Sequence, residues 1–206
     1  MNLLLLGTRN EGKIRELLAL LDDLDEIELL TFHKRFFRPV EETGKTFREN
    51  ALLKARAISV QTGLPVLAED AGLQVVALGN EPGVFSARYA GPPISYERNN
   101  SLLLERLADA KDRRASFVAV AALHLPDGRE HTCRGTLRGS IAHLPAGDGG
   151  FGYDPLFVPD GFKKTLAQIP VADKNRISHR RRSIDLMKGF IASLDWSYSS
   201  SSDSTC

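Results

Sequence analysis

Apolar positions along this 206-residue chain follow two rhythms. Leu3 to Leu6 form an unbroken apolar run stopped by Gly7, which reads as a short buried strand over residues 2–7. Ile14, Leu17, Leu18 and Leu21 then recur at helical spacing, with Asn10 placed to cap the helix they define. A strand that enters an amphipathic helix through a short polar turn is a typical opening of an α/β protein. A second strand is expected over 27–32 and a second helix over about 47–61. That helix has a capping-box pair, Thr46 and Glu49, at its start and Gly63 and Pro65 at its end.

Further on, "PVLAED" at 65–70 reads as a strand ending in acid, followed by a glycine turn and another strand at 73–78. Residues 79–93 form a Gly/Pro-rich loop, and a helix is expected over about 96–110. The alternation at 115–125, the Asp127-Gly128 turn and the returning segment "EHTCRGTLRG" predict a hairpin. A glycine-rich loop follows at 145–157, then a closing helix over about 182–194 with Ile184, Met187, Ile191 and Leu194 on one stripe. Residues 1–195 read as one domain and the serine-rich stretch 196–206 as a low-complexity, disordered tail.

Composition adds mainly exclusions. The net charge of +1 gives no global basic field, so nucleic acid is not indicated and any anion site must be local. The two cysteines, Cys133 and Cys206, lack metal-ligand spacing, and a reduced cytoplasmic protein is the expectation. No stretch approaches 18 apolar residues, so no membrane span or partner membrane is expected.

Four segments carry candidate chemistry. "TRNEGK" at 8–13 lies at a helix N-terminus, where free N–H groups and the helix dipole attract anions; Thr8 and Asn10 add donors and Lys13 a full charge. "AEDAGL" places Glu69 and Asp70 at a strand end, and "EETG" at 41–44 offers further carboxylates; hard cations such as Mg²⁺ take one or two carboxylates plus phosphate oxygens. Because successive strand residues face opposite sides, Glu69 and Asp70 need not serve one site. "GGFGYDP" at 149–155 sets Phe151 among glycines, where it can stack on a flat ring. "DKNRISHRRRS" at 173–183 is locally basic, and positive charge at a helix start invites an anion. A phosphate cradle, carboxylates, an aromatic platform and donors together suggest a nucleotide site.

"TRNEGKIREL", "EETGKTFRENALLKA", "AEDAGL", "PGVFSARYAG", "GGFGYDPLFVPDG" and "KNRISHRRRS" stand in the order found in the inosine triphosphate/xanthosine triphosphate pyrophosphatase family, which the chain resembles from about Leu4 to about Leu194. The resemblance implies an elongated, two-lobed mixed α/β fold with a long central sheet, a nucleotide in the cleft between lobes, a Mg²⁺ requirement and a homodimer. It implies that Thr8, Arg9, Asn10, Glu11, Gly12 and Lys13 bind the triphosphate, and that Glu41 and Asp70 hold metal. It further implies that Asp70 serves as the base that activates water. It places Phe151, Gly152, Tyr153, Asp154, Lys174, His179 and Arg180 around base and sugar, with Arg180 among the donors to the 6-carbonyl of a deaminated purine. The family's usual Asp-Asp-Ser is Glu69-Asp70-Ala71 here, which leaves only a backbone N–H at Ala71 for substrate; Arg9 stands where a small residue is common. The implied reaction converts ITP, dITP or XTP to the monophosphate and pyrophosphate. The alternatives are a related pyrophosphatase with another base preference and a nucleotide sensor without turnover.

Overall fold

A computed structural model describes residues 2–196; the serine-rich stretch from residue 197 onward lies outside the described residues. The strands are β1 (Asn2–Leu6), β2 (Ile27–Leu30), β3 (Val66–Val75), β4 (Arg114–His124), β5 (Glu130–Ile141) and β6 (Phe157–Pro159). The helices are α1 (Glu11–Leu20), α2 (Phe47–Thr62), α3 (Tyr96–Arg106), α4 (Val171–Ile177) and α5 (His179–Ala192). They build one mixed sheet in the order β2-β1-β3-β4-β5-β6. β1 pairs in parallel with both β2 and β3, and the remaining pairs are antiparallel. The mixed α/β class expected from the sequence is what forms.

Local signals set the first elements. The Asn10 side chain accepts from Lys13 N at 3.0 Å and starts α1. Thr46 and Glu49 form the reciprocal capping box of α2, and Gly63 closes that helix in the left-handed region. Side-chain alternation then gives the sheet two faces. On one face Leu67, Ala121, Leu123 and Cys133 pack against α1 and α5 through Leu17, Leu20, Ile184, Met187 and Ile191. The same face, farther along, carries Leu73, Phe117 and Leu137 under α3 and the segment 153–169. The opposite face presents Val66, Ala68, Val118, Val120 and Ala122 to α2.

Three expectations are corrected. The segments 65–70 and 73–78 are not two strands: β3 runs unbroken to Val75 in register with β4, and Val76–Leu78 is a single 3₁₀ turn. Gly72 makes no turn; a Cβ there would lie 2.4 Å from Ser86 Oγ and 2.5 Å from the Gly83 carbonyl oxygen, so the glycine lets the 83–88 turn press onto the strand. The third helix stops at Arg106, short of residue 110. The closing helix begins at His179, three residues before Arg182, because Ser178 breaks the chain after α4 and caps α5 by accepting from Arg181 N at 3.0 Å.

Candidate active site

The β1–α1 turn, α2, the middle of β3, the N-terminus of α3 and the 151–154 turn converge on one cleft of about 320 Å³, a size typical of small-molecule sites. Thr8, Arg9, Asn10, Lys13, Asp70, Ala71, Phe151, Gly152, Tyr153, Asp154, Lys174, His179 and Arg180 all line it, so the cationic turn and the strand-end acid share a single opening. Glu11 does not: it is exposed and bonds His33 Nε2 at 2.9 Å. Gly12 supports the wall instead, since a Cβ there would fall 2.9 Å from the Phe151 ring.

The two acids of β3 part company, as strand geometry requires. Asp70 faces α2, where Asn50 Nδ2 lies at 3.2 Å and Lys54 Nζ at 3.4 Å. Burial pushes its carboxyl above the usual range, and Lys54 and Lys13 only partly offset this. Glu69 faces the other way. Arg180 grips it with Nε at 2.6 Å and Nη2 at 2.8 Å, and Lys13 Nζ stands 3.6 Å away. Burial alone would raise the Glu69 carboxyl, but Arg180 and Lys13 hold it down at about 2.

Glu69 is one link in a buried chain of alternating charge. Arg180 also bonds Glu16 of α1, and Glu16 and Asp154 both bond Lys174, at 2.9 and 2.7 Å. The order Lys13, Glu69, Arg180, Glu16, Lys174, Asp154 places a cation beside every anion, which lets charge stay in a low-dielectric interior. The anions invited by the basic 173–183 run are therefore, for Lys174 and Arg180, the protein's own carboxylates. Lys174 titrates above its usual value, because Asp154 and Glu16 outweigh the cost of burial. Three of the five Arg180 N–H donors are committed to carboxylates, so at most two remain for a ligand. Asp154 also accepts from Phe151 N at 2.8 Å and so shapes the turn that presents the Phe151 ring to the cleft. His179 stacks on Phe117 at 4.8 Å, and burial takes its imidazole well below the usual range, so it stays neutral.

The carboxylate from the 41–44 segment is not the expected one. Glu41 is exposed and lies outside the cleft lining; Glu42 lines the cleft, bonded to Lys54 Nζ at 2.5 Å with Arg88 at 3.5 Å. In a segment without helix or strand, nothing in the sequence fixes which neighbour turns inward. Glu42, Glu16, Asn50 and Lys54 were all missed at the sequence level. Two signals were available: Glu16 follows Lys13 by three residues, and Asn50 precedes Lys54 by four, both same-face spacings on a helix.

Glu42 and Asp70 flank Lys54 in the lining of the cleft, and the negative charge of Glu42 raises Asp70 further. Two carboxylates are the kind of donor Mg²⁺ takes beside phosphate oxygens; here Lys54 lies between them, and among the described residues no cluster of three or more His, Cys, Asp or Glu is arranged to hold a metal. Lys13 sits among this charge, and burial lowers its ammonium below the usual lysine value. As pH rises it loses its proton early, and a neutral amine no longer pairs with phosphate. The alkaline limb of kcat/KM should therefore fall below the ordinary lysine range near about 10.4 and move upward in Lys13→Arg. An unchanged limb in that variant would remove Lys13 from the titration.

The model of the Ham1 family matches residues 4–190. A dITP/XTP pyrophosphatase of Streptomyces coelicolor is 48% identical over 184 residues, covering 87% of this chain and 92% of that protein. One from Symbiobacterium thermophilum is 50% identical over 184 residues, covering 88% and 90%. The solved structure of a HAM1 protein from Coxiella burnetii superposes with a TM-score of 0.87 at 40% identity, covering 94% of this chain and all of that one.

Proposed function

From its membership of the Ham1 family, to which this chain belongs, we propose that it hydrolyses deaminated purine nucleoside triphosphates, ITP, dITP and XTP, to the monophosphate and pyrophosphate. The observation that carries this reading is the convergence of Lys13, Lys54 and Asp70 on the same cleft as Phe151, His179 and Arg180. On this reading the cations and the carboxylate form the phosphate end, and Phe151 with the fixed polar groups forms the base end.

The triphosphate carries about four negative charges at neutral pH. Lys13, Lys54 and the α1 N-terminus hold it and stabilise charge that grows on the departing pyrophosphate. Asp70 takes the proton from the attacking water, and burial raises its affinity for that proton. Glu42 and Asp70 would hold Mg²⁺, which when bound neutralises phosphate charge and acidifies water. Phe151 stacks on the base. A 6-carbonyl meets the donors of this end, whereas the amino group of adenine leaves them unpaired, at roughly 1–3 kcal/mol per buried group.

Purified protein should release pyrophosphate from ITP, dITP and XTP at least about tenfold faster than from ATP, with Mg²⁺ and not with EDTA. Equal rates on ATP would overturn the base assignment, a preference for pyrimidine nucleotides would favour a related pyrophosphatase, and binding without pyrophosphate would leave a sensor. The same family reading extends to a homodimer in the cytoplasm, which sedimentation tests at its first point. Among the described residues no helix is long and apolar enough to cross a membrane.

A further inference from the structure

The N-terminus of α3 reaches the cleft with a side chain that neither the motifs nor the mechanism uses. Tyr96, 40% exposed, lines the cavity from its rim. Its hydroxyl lies 3.5 Å from Asn10 Nδ2, at the phosphate end, and its ring centroid lies 6.3 Å from that of Phe151, at the base end. A residue that touches both ends stands beside whatever joins them. In a nucleotide that part is the pentose.

Tyr96 is also held firmly from behind. Ser95 caps α3, Arg98 donates to the Pro93 and Ala90 carbonyl oxygens at 3.0 Å each, and Asn99 joins the Ala90 amide to the Ser86 and Ala87 carbonyls. One turn on, Asn100 Nδ2 donates to the Gly152 carbonyl at 3.1 Å and ties α3 to the turn that carries Phe151. The backbone that carries the phenol is thus held in place. Its long contact to Asn10 leaves it able to donate to and accept from a sugar hydroxyl.

Resting on the nucleotide reading above, we propose that Tyr96 is a specificity-determining residue that walls the pentose and hydrogen-bonds one of its hydroxyls. The contact exists in the bound ground state and persists through the reaction, so it acts on KM and leaves kcat nearly unchanged.

Three ligands test this on wild type, Tyr96→Phe and Tyr96→Ala: ITP, dITP, and inorganic tripolyphosphate as a competitor with neither base nor sugar. Tyr96→Phe should raise the KM for ITP roughly three- to tenfold, the range of one hydrogen bond. An equal rise for dITP assigns the contact to the 3′-hydroxyl, and a rise confined to ITP assigns it to the 2′-hydroxyl. Tyr96→Ala should raise KM further through loss of the ring. The inhibition constant of tripolyphosphate should not move, which a general loosening of the site through Asn10 would not allow. KM values within twofold of wild type in both variants, or a parallel weakening of tripolyphosphate, would overturn the proposal. Nucleotide affinity measured on Asp70→Asn, with and without Tyr96→Phe, gives the same answer without turnover, so a failure of the hydrolytic reading is seen separately from a failure at Tyr96.

Discussion

Asp70→Asn should lower kcat by about 10²–10⁴-fold and leave KM for ITP within a few-fold of wild type. The amide keeps the size of the side chain, but its single oxygen can accept from only one of Asn50 Nδ2 and Lys54 Nζ, which lie at 3.2 and 3.4 Å from different carboxylate oxygens. What it loses is the capacity to take a proton from water and a charge to offer a cation. One lost hydrogen bond is set against a gain from removing the buried charge. Burial raises the native carboxyl above its unfolded value, so the folded state binds that proton more tightly than the unfolded chain does. Ionising Asp70 as pH rises through this window costs stability, and asparagine removes the cost. The melting temperature of the variant at neutral pH should stay close to that of wild type. A kcat within tenfold of wild type would remove Asp70 from the role of base; a large drop in melting temperature would show the carboxylate to be a structural group.

That opposition between activity and stability bears on what the sequence made legible. Elements set by neighbours in the chain were readable: Asn10 and Thr46 announce their helices, Gly63 ends α2, and Asp127-Gly128 marks the β4–β5 hairpin. Elements set by distant contacts were not. Ala71-Gly72 looks like a turn in the sequence because glycine has two uses, and only the approach of Ser86 and the Gly83 carbonyl shows that close packing is the one employed here. The basic run before α5 looked like a call for an external anion, because Glu69 and Glu16 are more than a hundred residues away in the chain and yet end beside Arg180. The cleft's cations and acids were visible one at a time. Their pairing depends on the sheet order, which brings β1 and β3 side by side, and on the alternation that turns Glu69 and Asp70 to opposite faces.

The pairing of Glu69 leads to the largest expected effect on the fold. Glu69→Gln leaves Arg180 and Lys13 buried with one anion fewer, and breaking a buried pair from one side costs about 3–5 kcal/mol. Against a total stability of about 5–15 kcal/mol this is severe. At roughly 2–4 °C per kcal/mol for a domain of this size, the melting temperature should fall by about 6–20 °C. The depressed titration of Glu69 points the same way. Its carboxyl drops from the usual 4.5 to about 2, and a carboxylate favoured in the folded state contributes stability that is complete above its unfolded value. That contribution, roughly 3 kcal/mol, is lost as pH falls from about 4.5 towards about 2. Wild type should therefore lose stability steeply across this acid window, and Glu69→Gln, already lacking the charge, should show a shallower slope there. Removing the partner as well separates the charge from the packing. Glu69→Leu combined with Arg180→Leu leaves one fewer buried ion on each side, and it should be less destabilised than the sum of the two single changes by roughly 0.5–3 kcal/mol. A single variant that melts within 2 °C of wild type, as a ~1 kcal/mol surface pair would, would mean that Glu16 alone satisfies Arg180 and that the alternating charge chain is not what holds α5 against β3.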